Sequence, residues 1–240
     1  MSHEDEKRAA AVYAAGLVET GMRVGLGTGT TVAPFLAALA ARGLRLQCVA
    51  TSEATATAAR AAGLTIESFD ALDRLDIAID GADQVGPGGW LVKGGGRAHT
   101  REKVVANAAE RFVVIASSDK LVAELRPPVP VELLRFALPS TLRTLGSVSL
   151  RGGPLSPDGG VIGDWTGPVD DPGALSARLS STPGVIDHGL FCPSLASDIV
   201  VAHAGGVQHW TARPSGWPAD LLSAEEQGAD QRARDGPDVA

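Results

Sequence analysis

Cysteine is scarce in this chain: Cys48 and Cys192 stand far apart among 240 residues, with no CxxC and no Cys/His metal spacing. That excludes a disulfide framework and a zinc motif, and reads as two small hydrophobes in a reducing compartment. Positive charge is also short. Lys and Arg number 21 against 28 Asp and Glu, giving a net charge of −7 with the acids spread along the chain. Nonspecific nucleic-acid binding needs a basic face, so no nucleic-acid partner is expected, and an anionic ligand must be held by local cations and backbone N–H groups. No stretch approaches the roughly 20 apolar residues of a membrane helix, so no membrane partner is expected. The opening MSHEDEKR has no signal-peptide core. A cytoplasmic location follows as the expectation. Aromatic residues are 4%, and the dispersed tryptophans read as packing residues, with Trp90 a candidate pocket wall. The five histidines show no HExxH-like spacing, and no metal is expected; His99 alone falls where a ligand could sit.

What is present is a pattern of alternation. Residues 4–19 form an amphipathic helix. Strands at 22–26, 46–50, 75–79, 90–92 and 112–116 alternate with helices at 32–41, 51–62 and 100–110, the last capped by Thr100. Such alternation implies an open, mostly parallel, Rossmann-like sheet covered on both faces. Near Pro127-Pro128 the texture changes. Residues 128–203 read as strand, helix, two strands, helix and strand, a smaller α+β domain of the split βαβ, ferredoxin-like kind. The fold class is thus α/β with a second α+β domain. Residues 1–127 form the first domain, 204–213 return to it, and 214–240, rich in Pro, Gly, Ala and acid, are expected to be a disordered tail.

The chemistry-bearing segments follow strands. In an open parallel sheet, ligands bind at the carboxyl ends of strands, and GTGTT, TSEAT, DGAD, KGGG and SSDK are each assigned to such a place. GLGTGTT has Thr30 where a dinucleotide loop needs its third glycine, and it lacks the Gly-Lys of a P-loop. It is either a Thr-capped turn or a phosphate cradle at a helix N-terminus. Asp80 and Asp83 are turn-formers by type, yet Asp80 follows the apolar run Ile77-Ala78-Ile79, where an acid needs a partner. Lys93 follows Leu91-Val92 and precedes three glycines that let a ligand approach the backbone. A lysine there suits a developing oxyanion. Glu102, early in its helix, either answers the helix dipole or acts as a base, and a base for carbon acids profits from a dry pocket that raises its pKa.

In this order and spacing, GLGTGTT, TSEAT, DGADQV, LVKGGGRAHTREK and SSDK closely resemble the ribose-5-phosphate isomerase A family, as does TPGVIDHGLF in the second domain. The resemblance spans residues 4–210. It implies reversible isomerisation of D-ribose 5-phosphate to D-ribulose 5-phosphate in the non-oxidative pentose phosphate pathway, through a cis-enediolate and without cofactor or metal. Glu102 matches the general base. Asp80, Asp83 and Lys93 match the polar group that opens the sugar ring, moves hydroxyl protons and stabilises the enediolate. Thr28, Gly29, Thr30 and Thr31, Gly81 and Ala82, Gly94, Gly95 and Gly96, and Lys120 match substrate-binding positions, and Lys7 sits where the family often places a phosphate-binding lysine. The partner implied is a small sugar phosphate, and the assembly a homodimer or homotetramer. Departures are Gln84 for the usual Glu, Thr30 within the usual TGST, an altered order in SSDK, and Arg97 and His99, expected to change pocket charge. The alternative is a non-catalytic sugar-phosphate sensor on a related fold. It is disfavoured because the sheet starts by residue 22, without room for a preceding helix-turn-helix, and the full acid–base set is present.

Overall fold

The computed structural model describes residues 1–212 together with Gly216, Trp217 and Leu221. In chain order these form α1 (His3–Ala15), β1 (Arg23–Leu26), α2 (Val32–Ala40), β2 (Gln47–Ala50), α3 (Glu53–Ala61), β3 (Leu75–Gly81), β4 (Gln84–Val85), β5 (Leu91–Val92), α4 (His99–Ala108) and β6 (Ala109–Ser117). They continue with β7 (Val129–Leu133), α5 (Leu138–Leu145), β8 (Val148–Leu150), β9 (Val161–Trp165), α6 (Pro172–Ser181), β10 (Val185–His188), β11 (Leu190–Phe191), β12 (Asp198–His203) and β13 (Gly206–Thr211).

The main sheet runs β13-β12-β6-β3-β1-β2, parallel except for the antiparallel edge strand β13. Its strands are apolar on both faces, the pattern of a sheet buried on both sides. Along β3 and β6 the residues alternate: Ile77, Ile79, Val113 and Ile115 pack under α1 and α2, whereas Ala78, Phe112, Val114 and Ala116 pack under α4. Alanines 10, 11, 14 and 15 of α1 are buried, so a small-residue stripe seats that helix against the sheet.

Strands β10-β7-β9-β8 form a wholly antiparallel sheet with α5 and α6 as its helices, the strand order of a ferredoxin-like βαββαβ unit. Its core contains Val129, Val131, Leu133, Trp165 and Leu179.

Two placements correct the sequence reading. β12 belongs to the main sheet, between β6 and β13, so the chain rejoins that sheet at Asp198 and not at residue 204. Ile199 to Ala202 is the uninterrupted apolar run that a doubly covered parallel strand requires. β5 lies outside the parallel sheet, in a three-stranded antiparallel sheet ordered β11-β5-β4. Its hairpin with β4 turns through Pro87–Gly89, a connection too short for a parallel crossover. The proposed disordered tail lies mostly outside the described residues. Within it, Leu221 is buried and the Trp217 indole donates to the Pro193 carbonyl at 3.2 Å.

Candidate active site

Parallel pairing brings the carboxyl ends of β1, β3 and β6 side by side, and with them Gly27–Thr31, Asp80–Asp83 and Ser117–Lys120. Lys93 arrives from the small antiparallel sheet. Its N–H donates to the Gly189 carbonyl at 2.8 Å, and the Asp83 N–H donates to Val92 at 2.8 Å, which fixes where the glycine run begins. Glu102 projects from the first turns of α4 on the same stripe as Val105 and Ala106, three and four residues on, which are buried against the sheet. Helical periodicity thus turns Glu102 inward.

These side chains meet in one buried ionic group. Lys93 Nζ lies 2.9 Å from Asp80 Oδ2 and 3.1 Å from Glu102 Oε2, and it donates to the Gly81 carbonyl. All three residues are at most 3% exposed. Among the described residues, neither Asp80 Oδ2 nor Glu102 Oε2 receives a well-directed hydrogen bond, so the contacts to Lys93 are ion pairs and not aligned bonds. Asp80 Oδ1, in contrast, accepts from the N–H groups of Thr28 at 3.1 Å and Gly81 at 2.7 Å. A side chain at position 27 would overlap the Asp80 carboxyl, which is why glycine stands there.

One ammonium shared by two carboxylates leaves a net negative charge out of water, and the titrations follow. Burial, reinforced by the Asp80 charge and opposed by Lys93, pushes Glu102 up to about 8. Burial raises Asp80 too, against the pull of Lys93 and the two N–H groups. For Lys93 burial disfavours the charge, but Asp80 and Glu102 outweigh it and hold the pKa above the ordinary lysine value. The result is a carboxylate held out of water against a fixed cation, with a raised proton affinity.

Above this group lies a cavity of about 320 Å³, lined by every expected site residue except Asp80, which sits beneath, and also by Lys7. Lys7 Nζ contacts Thr30 Oγ1 at 3.3 Å and Glu4 at 2.7 Å. Thr28–Thr31 end at the N-terminus of α2, where free N–H groups and the helix dipole favour an anion. Asp83 is exposed and accepts from the Gly95 N–H at 2.8 Å.

The sequence reading assigned no role to two supports. Thr28 Oγ1 sits 2.8, 2.9 and 3.2 Å from the hydroxyls of Thr51, Ser52 and Thr55, so TSEAT pins the first threonine of the anion loop. Buried Glu6 accepts from the Ser118 N–H at 3.0 Å and its hydroxyl at 2.8 Å, fixing the loop that carries Lys120. Four hydroxyls grouped in two short motifs were the available signal for the first. Nothing in the sequence marks Glu6.

Four other expectations change. Arg97 does not face the cavity; with φ 65° it turns away, toward the carbonyls of Gly152 and Pro154. His99 is fully buried behind Gly94, and burial together with nearby Lys103 pushes its pKa down to about 3, so it adds no pocket charge. Trp90 packs on the core of the antiparallel unit and does not wall the cavity. Thr100 caps nothing: its hydroxyl donates to Glu132, and α4 has no side-chain cap.

The chain is similar to known proteins in both sequence and fold. Residues 47–206 match the family model described as ribose 5-phosphate isomerase A (phosphoriboisomerase A). A ribose-5-phosphate isomerase A of Caulobacter vibrioides is 44% identical over 223 residues, covering 86% of this chain and 98% of the relative. The crystal structure of ribose 5 phosphate isomerase A from Neisseria gonorrhoeae superposes with a TM-score of 0.83 at 31% identity, covering 87% of this chain and 96% of the other. A D-ribose-5-phosphate isomerase solved in complex with phospho-erythronic acid gives a TM-score of 0.84 at 34% identity, covering 88% and 100%. The family model, the sequence relatives and the fold converge, and the chain belongs to the ribose-5-phosphate isomerase A family.

Proposed function

We propose that this protein is a ribose-5-phosphate isomerase, interconverting D-ribose 5-phosphate and D-ribulose 5-phosphate, with Glu102 as the proton-transferring base. One observation carries the assignment of roles: the Lys93 ammonium lies within 3.1 Å of both Asp80 and Glu102 beneath a cavity walled by Gly94–Gly96, Lys7 and Lys120. Isomerisation through an enediolate needs a base, an oxyanion partner and a phosphate anchor, and this arrangement offers each.

With the sugar in its open form, the Glu102 carboxylate takes the proton from C2, and the electron pair moves through C1 onto O1. The resulting cis-enediolate carries its charge beside the Lys93 ammonium and the N–H groups of the glycine run. A proton passes from O2 to O1 by way of Asp83, with Asp80 and Lys93 holding the field around it. Glu102 then returns its proton to C1, leaving the ketose. Every proton is accounted for and no electron leaves the substrate. Lys7, Lys120 and Thr28–Thr31 anchor the phosphate, which pre-positions C2 over the base. A related enzyme was solved in complex with phospho-erythronic acid, a phosphorylated sugar acid, which supports a sugar-phosphate ligand for this cavity. A sensor would have no use for a buried base held near 8, which favours the enzyme.

We place the protein in the cytoplasm as a homodimer or homotetramer; light scattering on the purified protein decides between these and a monomer. The activity test is direct. Metal-free protein incubated with D-ribose 5-phosphate in D2O is expected to form ketose, with deuterium at C1 in the fraction of turnovers in which the Glu102 proton exchanges with solvent before its return. A folded protein that forms no ketose would end the isomerase reading.

A further inference from the structure

The glycine run that walls the cavity is held from a direction the mechanism above does not use. Arg151 follows β8 in the antiparallel unit, and its Nη1 donates to the carbonyls of Gly94 at 3.1 Å and Gly95 at 3.3 Å. The rest of its guanidinium is fixed as a fork on Asp164 of β9, with Nε at 3.0 Å from Oδ2 and Nη2 on Oδ1. In return, Arg97, the residue after the glycines, sends its guanidinium to the carbonyls of Pro154 at 2.8 Å and Gly152. Each arginine therefore caps backbone carbonyls of the segment that carries the other. On the cavity side the Gly95 N–H is held by Asp83, so the run is gripped through carbonyls on one side and an N–H on the other. Arg97 adopts φ 65°, a backbone state that non-glycine residues seldom take, and strain of that kind persists where surrounding contacts demand it.

We infer that Arg97 and Arg151 form a reciprocal clasp through which the ferredoxin-like unit positions the Gly94–Gly96 backbone for catalysis. The inference rests on the isomerase reading for its effect on turnover, but not for its effect on the loop. The clasp aligns peptide N–H groups with the oxygens of the enediolate, whose charge develops only in the reaction, so its loss falls on kcat more than on KM. Both arginines are positioning residues; neither lines the cavity.

Position 97 provides an unusual variant. Arg97→Gly removes the guanidinium while placing at φ 65° the residue that tolerates it best, so the backbone is relieved and not strained. Arg101→Ala is the control, because Arg101 also ties α4 to the β8–β9 connection, at 2.7 Å to Asp158, without touching the glycine run. Arg97→Gly and Arg151→Ala are expected to keep their urea midpoints near or, for the glycine variant, above wild type. Each should lower kcat about tenfold or more with KM within about threefold, the scale set by loss of one oriented oxyanion donor at about 10²–10³. Arg151→Lys, which keeps one donor but not the fork, should recover part of the loss. Arg101→Ala should stay within about twofold. Hydrogen exchange read on the peptide covering Lys93–Arg97 should quicken in the two clasp variants and not in the control. Glycine and alanine variants that match wild type in both exchange and kcat overturn the clasp, as does an Arg101→Ala variant that loses as much turnover as Arg97→Gly. If wild type were inactive yet loop exchange still quickened, the isomerase reading would fail and the clasp would stand.

Discussion

At residue scale the central fact is a glutamate whose proton affinity is set by what surrounds it. Burial and the Asp80 charge lift Glu102 to about 8 in the free protein, so kcat/KM should rise with pH through an acid limb near 8 and flatten above it. Initial rates between pH 6 and 9.5 measure this; a limb near the ordinary glutamate value would contradict the dry pocket. The same shift has a stability sign. A carboxyl raised in the folded state binds its proton more tightly there than in the unfolded chain, so it costs stability increasingly as pH climbs from the ordinary glutamate range to about 8. Glu102→Gln should therefore gain stability relative to wild type across that window, read as a urea midpoint difference that widens with pH. A difference independent of pH would place the glutamate in water. Sequence alone pointed to Glu102, Lys93, Asp80 and Asp83, because charges beside apolar runs and glycines demand partners. It could not show which way Arg97 turned, since the positive φ that swings it out of the pocket depends on carbonyls 55 and 57 residues away.

At the scale of elements, the strand ends and their turns hold the site. Gly27→Ala forces a methyl group into the Asp80 carboxyl, so Asp80 must shift from its two N–H donors and from Lys93. We expect overpacking to cost about 1–3 kcal/mol and kcat to fall at least tenfold, from urea unfolding and rate measurements. Gln84 gives the opposite case. Its amide donates to the Arg126 carbonyl at 2.7 Å and accepts from the Arg126 N–H at 2.8 Å, a two-way bond that glutamate cannot make. Gln84→Glu should lower stability by up to about 1 kcal/mol and leave kcat within about twofold. Gln84 thus ties its strand to the Arg126 backbone and is not among the residues that line the cavity. Periodicity revealed most elements to within a few residues. It misplaced β5 and β12, because a two-residue strand carries no period and an all-apolar strand does not announce which sheet it joins.

At the scale of the whole molecule, two sheets meet at one cavity. The main sheet carries Asp80 and the Thr28–Thr31 loop, while the antiparallel unit grips the glycine run through Arg151. The far end of the chain also packs back, with Trp217 against Gly89 and Leu221 in the core beneath α4. Trp217→Ala should cost about 1–3 kcal/mol, less than the roughly 3–5 kcal/mol of a fully buried tryptophan, because Trp217 is partly exposed. Composition suggested a loose tail and hid these two contacts, since a lone large side chain barely moves an average. The proposed proton transfer turns on one carboxylate. Its most direct test is kcat for D-ribose 5-phosphate in Glu102→Gln, measured beside wild type with folding checked by circular dichroism. A loss of about 10²–10⁴-fold with KM within about threefold is predicted for a general base that does not anchor the phosphate. A folded Glu102→Gln protein with near-normal turnover would contradict it.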